Sequence, residues 1–124
     1  MAKIQVRYAR LDDTSAISRI FRARVSAWQR INAQGKVEDV PYETLTLYER
    51  WLHGGAWMSV ETGAIFLSHL LHGRGLPIVA VIDGVIQGYA EVYTGDEPAP
   101  FGKHLHLAHL TVHPDADGQR IDDA

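Results

Sequence analysis

The run PIVAVIDGVIQGYAEVYT, residues 77 to 94, constrains the fold of this chain more than any other stretch. Two β-rich segments flank Asp83-Gly84. Both turn residues tolerate the positive φ that a tight two-residue connection requires, so the run predicts an antiparallel hairpin. A polar connection, DEPAPFG, follows, and then KHLHLAHLTVH, residues 103 to 113. This last segment predicts a third strand laid against the hairpin, and it gathers four of the seven histidines of the chain.

The first half of the sequence has a different period. Ile4, Val6 and Tyr8 alternate with polar residues and predict a strand. Asp12, Asp13 and Thr14 offer helix caps, and Ile17, Ile20, Phe21, Val25, Trp28 and Ile31 follow at helical spacing, predicting an amphipathic helix over residues 13 to 31. Arg19, Arg22 and Arg30 fall mostly off that stripe, which reads as a solvated face. NAQGKVED is expected to be a polar loop, with Pro41 tolerated in a first helical turn. Leu45, Tyr48, Trp51 and Leu52 suggest a second helix stopped by Gly54-Gly55. Ile65, Phe66, Leu70 and Leu71 suggest a third stopped by Gly73 and Gly75. Trp28, Trp51 and Trp57 are expected in the core. PDADGQRIDDA opens a final helix. The order is β-α-α-α-β-β-β and the start of an α, which is an α/β or α+β chain with a mostly antiparallel sheet.

At 124 residues, 46% hydrophobic and 22% charged, the chain fits one soluble domain over residues 1 to 124. The absence of cysteine excludes disulfides, thiolate metal sites and a cysteine nucleophile. No apolar run is long enough to span a membrane, and MAKIQVRYARLDD has no signal-peptide core, so a cytoplasmic location is expected. A net charge of −3 argues against a nucleic-acid partner.

Taken in order, the strand, the LDDTSAISRIF helix, VAVIDGVIQGYAEVY and LHLAHLTVHPDADGQRI resemble the GCN5-related N-acetyltransferase (GNAT) superfamily. In that family a "dG.ivG.a.v" hairpin precedes an "L..L.V.P" strand, a Gly-rich loop and a helix. Asp83-Gly84, Gly88, Leu107, Leu110, Val112, Pro114, Gly118 and Ile121 stand in matching places. The resemblance implies acetyl transfer from acetyl-CoA to an amine, with no metal. It implies that the backbone of Leu110, Thr111 and Val112 lines the pantetheine arm. It also implies that Asp117, Gly118, Gln119, Arg120, Ile121 and Asp122 meet the pyrophosphate, as helix N-termini favour anions. Counting back from Val112, His106 falls where some members carry a general base, a role that suits histidine. The histidine-rich strand is similar to that of the arylalkylamine branch. By the family pattern, the loop over residues 32 to 42 shapes the acceptor site, which makes Tyr42 a candidate.

Strand alternation places His104, His106, Ala108, Leu110 and Val112 on one face and His109 on the other, unless a bulge intervenes. Glu91, on the neighbouring strand, is a second candidate base, and Tyr89 and Tyr93 share its face as candidate walls of an acceptor pocket. The plainer readings are a solvated glutamate, packing tyrosines and a half-buried histidine. His104-x-His106 alone is a weak metal motif.

The sequence departs from the family at Asp117, Arg120 and Asp122, where small residues or Arg and Gln are preferred. Acidic groups there oppose a dianionic partner. The family's fold also continues beyond this loop, so the chain reads as a GNAT-like domain lacking its C-terminal half. Strand 103–113 would then present an open edge inviting a second copy of the chain. The alternatives are a degenerate, non-catalytic GNAT module acting in binding or assembly, and a histidine-based metal protein.

Overall fold

The computed structural model describes residues 3–73, 75–97 and 102–114, with the backbone alone for 94–97 and 102–110. Strand β1 (Ile4–Tyr8) leads to helix α1 (Thr14–Arg22), and two short strands follow, β2 (Gln29–Ile31) and β3 (Val37–Asp39). Helices α2 (Leu47–Trp51) and α3 (Val60–Leu71) precede β4 (Gly75–Ile82), β5 (Val85–Glu97) and β6 (Gly102–Val112). The main sheet has the order β1-β4-β5-β6, and every described pairing in it is antiparallel. This is the mixed, mainly antiparallel architecture expected from the sequence.

The β4–β5 turn forms as expected. Asp83 has φ 49° and Gly84 φ 85°, and the backbone amide of Asp83 donates to the Lys3 carbonyl, tying the turn to β1. Two irregularities follow in the pairing. Val81 pairs with Ile86 and Ala80 with Gly88, so Gln87 is an extra residue in β5. That bulge puts Ile86 and Tyr89 into the same core despite their odd separation. Glu91 pairs with His109 and Val92 with Leu107, so Ala108 is an extra residue in β6. The unbroken alternation expected from His104 to Val112 is thereby interrupted.

One face of the sheet packs against α1, α3 and the turn at Ala56–Met58. Ile17, Ile20, Leu67, Val79, Trp57 and Tyr89 meet there, each at most 4% exposed. Trp57 stacks on Phe21 at 5.8 Å and meets Tyr89 edge-on at 5.3 Å. Ser18, fully buried on α1, donates its hydroxyl to the Trp57 carbonyl at 2.8 Å.

The first helix is shorter than its apolar stripe. It ends at Arg22, and residues 29 to 31 are strand β2. The spacing of Val25, Trp28 and Ile31 fits a helix, but NAQGK is a turn and not merely a polar loop. The side-chain oxygen of Asn32 accepts from the amides of Gln34 and Lys36, and Gly35 takes φ 77°. The hairpin closed by that turn docks on α2, and this tertiary contact outweighs local helical preference. At the other end, the Asp13 carboxylate caps no helical amide. It accepts one hydrogen bond from the Arg10 amide and two from the Arg7 guanidinium, at 2.8 and 3.0 Å.

Further corrections concern exposure. Tyr48, Trp51 and Leu52 of the α2 region are 68%, 49% and 60% exposed, so Trp51 is not core. On α3 the buried line is Gly63, Leu67 and Leu70, whereas Ile65 and Leu71 are exposed. Gly75 begins β4 rather than ending α3, and Asp96 and Glu97 extend β5 instead of forming a loop. The helix expected after Pro114 lies outside the described residues.

Two tests follow from this packing. A methyl group at Gly63 would stand 2.8 Å from the Trp57 ring, which its stack on Phe21 holds in place. Overpacking costs about 1–3 kcal/mol, and alanine's better helix propensity returns up to about 1 kcal/mol. Gly63→Ala should therefore lower the free energy of urea unfolding.

The second test concerns Arg30, which holds Glu49 by two bonds of 2.8 and 3.0 Å, while Glu49 also completes a capping box with Thr46. Hydrogen bonding to Arg30 first, and then to Thr46, brings the Glu49 carboxyl down to about 2 from an ordinary 4.5. Because the folded value lies below the unfolded one, this contribution is complete above about pH 4.5 and is lost as pH falls towards 2. Unfolding midpoints measured from pH 7 to 2.5 should fall less steeply over that window in Glu49→Gln than in the wild type.

Candidate active site

Tyr89, Glu91 and Tyr93 stand two residues apart along β5 and share the helix-covered face. Each phenol turns its hydroxyl to the carboxylate between them. Tyr89 donates to Glu91 Oε2 at 2.9 Å, and Tyr93 donates to Glu91 Oε1 at 3.0 Å. Glu91 is only 6% exposed, which corrects its reading as a solvated strand residue. Among the described residues it has no cationic partner. A buried carboxylate needs hydrogen-bond donors, and here neutral phenols supply them. Burial first, then the charge and hydrogen bond of Glu91, push the Tyr89 phenol far above its ordinary range. Tyr93 moves the same way, again through burial and then through its bond to Glu91. Neither phenol ionises near neutral pH, so both remain donors.

Strand β6 runs beside this trio. His106 stands opposite Tyr93, Leu110 opposite Ala90, Thr111 opposite Tyr89 and Val112 opposite Gly88. The register also sets His109 opposite Glu91, at the edge of the Ala108 irregularity. The side chains of His106 and Leu110 lie outside what the structure describes, as do Asp117, Gly118, Gln119, Arg120, Ile121 and Asp122 altogether. The end of β6 is pinned from α1's side: the Arg24 guanidinium donates to the Val112 carbonyl, and the His113 amide to Gln87. Arg19 likewise donates to the Ile86 carbonyl at 2.6 Å. Arg19 is thus a half-buried structural contact and not part of a solvated face, whereas Arg24 makes its bond from an exposed position.

Tyr42 belongs to a separate cluster. Its hydroxyl donates to the Met58 carbonyl at 2.7 Å, and its ring meets Trp28 at 4.8 Å, with Arg22 and Arg50 over it. The residues around Tyr42 come from four segments, and no local pattern announced them. The Y-x-E-x-Y alternation, by contrast, was visible and could have signalled a shared carboxylate.

A third feature has no sequence precursor here. A cavity of about 370 Å³ opens between the β2–β3 hairpin and α2, lined by Arg30, Ile31, Val37, Leu52 and His53 among others. None of the candidate residues named from the sequence lines it. Among the described residues no group of three or more metal-ligating side chains converges, and no helix is long and apolar enough to cross a membrane.

No protein-family model matches the sequence, and a comparison with curated proteins returns no match. Solved structures do match. A transcriptional regulator from Bacillus halodurans C-125 superposes with a TM-score of 0.64 at 14% identity, over 98% of this chain and 67% of its own. The ribosomal-protein-alanine N-acetyltransferase of Brucella melitensis biovar Abortus 2308 gives 0.56 at 17% identity, over 97% of this chain and 64% of its own. A predicted acetyltransferase from Clostridium acetobutylicum, solved with acetyl-CoA, gives 0.51 at 17%, over 98% and 67%. The similar structures are mostly GNAT acetyltransferases, and this chain has the GNAT fold. It spans about two thirds of the length of these neighbours.

The trio is open to direct test. Tyr89→Phe removes one of two donors from a buried carboxylate, a loss worth about 1–3 kcal/mol. Urea denaturation at pH 7 should show a destabilisation of that order, and a variant as stable as the wild type would show that Glu91 does not depend on this phenol.

Proposed function

We propose that this chain is an N-acetyltransferase of GNAT type, moving acetyl from acetyl-CoA to an amine of a small molecule or protein. One arrangement carries the reading. Within the GNAT fold, a buried glutamate held by two phenols lies beside a strand whose ladder is interrupted by one residue. An interruption of this kind leaves a backbone amide outside the ladder, free to donate elsewhere, and such bulges are common beside active sites.

The described residues fit the co-substrate along β6. Its backbone at Leu110, Thr111 and Val112 continues from the Ala108 irregularity, and Arg24 fixes its end. When bound, acetyl-CoA would supply a thioester carbonyl for an amine nitrogen to attack, the C–S bond breaking as the C–N bond forms and CoA leaving as its thiol. Residues 117 to 122 are the proposed pyrophosphate contacts. An amine arrives as an ammonium and must lose a proton before it attacks. Glu91 is the proposed base, taking that proton directly or through water, and the two phenols hold its oxygens in place. His106, opposite Tyr93 on the adjacent strand, is the other candidate for the same transfer. Tyr93 is the proposed wall of the acceptor pocket on the solvent side, being the less buried of the two phenols.

Two measurements test this. Acetyl-CoA at millimolar concentration should raise the melting temperature, as any ligand selective for the folded state does. Glu91→Gln should retain that shift while lowering kcat for acetyl transfer by about 10²–10⁴-fold. Loss of rate in His106→Gln alone would move the base to that strand. No thermal shift with acetyl-CoA would overturn the enzyme reading and leave a non-catalytic GNAT module.

A further inference from the structure

Two guanidinium groups converge on one aromatic ring at the side of the molecule. The Cζ of Arg50 sits 4.1 Å from the centroid of the Tyr42 ring, and that of Arg22 sits 5.2 Å from it. Arg22 comes from the last turn of α1 and Arg50 from α2, so tertiary packing brings them together. Trp28 meets the same ring edge-on at 4.8 Å. The Tyr42 hydroxyl is committed to the Met58 carbonyl, which holds the ring in place.

The cluster is short of negative charge. The carboxylate nearest to Arg50 is Glu61, at 3.8 Å from Nη1, which is beyond hydrogen-bond distance, and Glu61 is itself 59% exposed. Glu49 on the same helix is taken by Arg30 through both its oxygens. Arg22 makes only a long bond from Nε to the Ser18 carbonyl, 3.4 Å, and among the described residues it has no carboxylate partner. The Arg50 side chain is 16% exposed, and its Nε is buried without a hydrogen-bond partner. A buried donor without an acceptor is rare in folded proteins, and each instance asks for a partner.

A ring face favours one cation, but it does not satisfy guanidinium N–H groups, which lie in the guanidinium plane and seek oxygen acceptors. Two like charges on one ring also repel unless an anion lies between or beside them. We infer that Arg22 and Arg50, held by Tyr42, form a binding site for a small oxyanion, the carboxylate or phosphate group of a ligand. An oxyanion supplies what the cluster lacks: several acceptor oxygens for a forked donor, and compensating charge. This inference stands apart from the acetyl-transfer reading and uses none of its residues except Tyr42.

The test uses the full chain and simple salts. Melting temperature is measured in sodium phosphate and in sodium acetate, each against sodium chloride at equal ionic strength, with tryptophan emission as a second readout through Trp28. A rise over chloride that saturates with phosphate or acetate is expected, and Arg22→Gln and Arg50→Gln should each weaken the apparent affinity at least tenfold. A response to phosphate alone assigns a phosphate group, and an equal response to acetate assigns a carboxylate. No response beyond chloride, or a response unchanged in Arg22→Gln, would overturn the site. Removing Arg22 spares the Arg50 side chain, whose Nε is buried, so that variant keeps the test decisive if Arg50→Gln does not fold.

Discussion

A slip of one residue in the β4–β5 pairing would turn Tyr89, Glu91 and Tyr93 away from the helices and onto the opposite face of the sheet. The register that prevents this is set at the turn, where Asp83 and Gly84 both take positive φ and the Asp83 backbone and side chain are bonded to Lys3. It is held again along β5 by the seating of Tyr89 among Phe21, Trp57 and Val79. The aromatic core and the polar trio thus depend on the same alignment. Tyr89 serves both, with its ring in the core and its hydroxyl on Glu91.

This shared alignment explains how a carboxylate is tolerated in the interior. Glu91 is not neutralised by a cation among the described residues; its oxygens are met one each by two phenols projecting from its own strand. Spacing along a strand is the most rigid spacing a chain offers, so the donors are placed without side-chain searching. Each oxygen retains capacity to accept a further hydrogen. That spare capacity is what a proton acceptor needs, and it separates Glu91 from a carboxylate locked in a bidentate ion pair such as Asp13 with Arg7.

Much of this was legible in the sequence where the signal is local. The DG turn, the strand β1, the start of α1 near Thr14, the presence of α3 and the last strand all follow from neighbouring residues. The ordered combination of those elements carried the likeness to the GNAT fold. What was not legible depends on distant contacts. Val25, Trp28 and Ile31 continue a helical period perfectly well, and only docking of the Asn32–Gly35 hairpin on α2 through Arg30 and Glu49 decides against it. Trp51 reads as core by type, yet five-residue α2 leaves it half exposed. The bulges at Gln87 and Ala108 reverse the parity of everything beyond them, and strand alternation alone does not show an inserted residue.

The charges of the molecule are arranged in an uneven way. Among the described residues, a carboxylate without a cationic partner lies inside, on β5, while two guanidinium groups without a carboxylate at hydrogen-bond distance lie around Tyr42. The short turn Ala56–Met58 stands between the two. Its Trp57 ring packs on Tyr89, its Met58 carbonyl accepts the Tyr42 hydroxyl, and its Trp57 carbonyl accepts Ser18 from α1. Two consecutive residues, Trp57 and Met58, therefore fix the inner phenol and the outer phenol relative to one another, through main-chain acceptors and one buried ring. Burying that ring is also what demands a bare glycine on α3 at position 63.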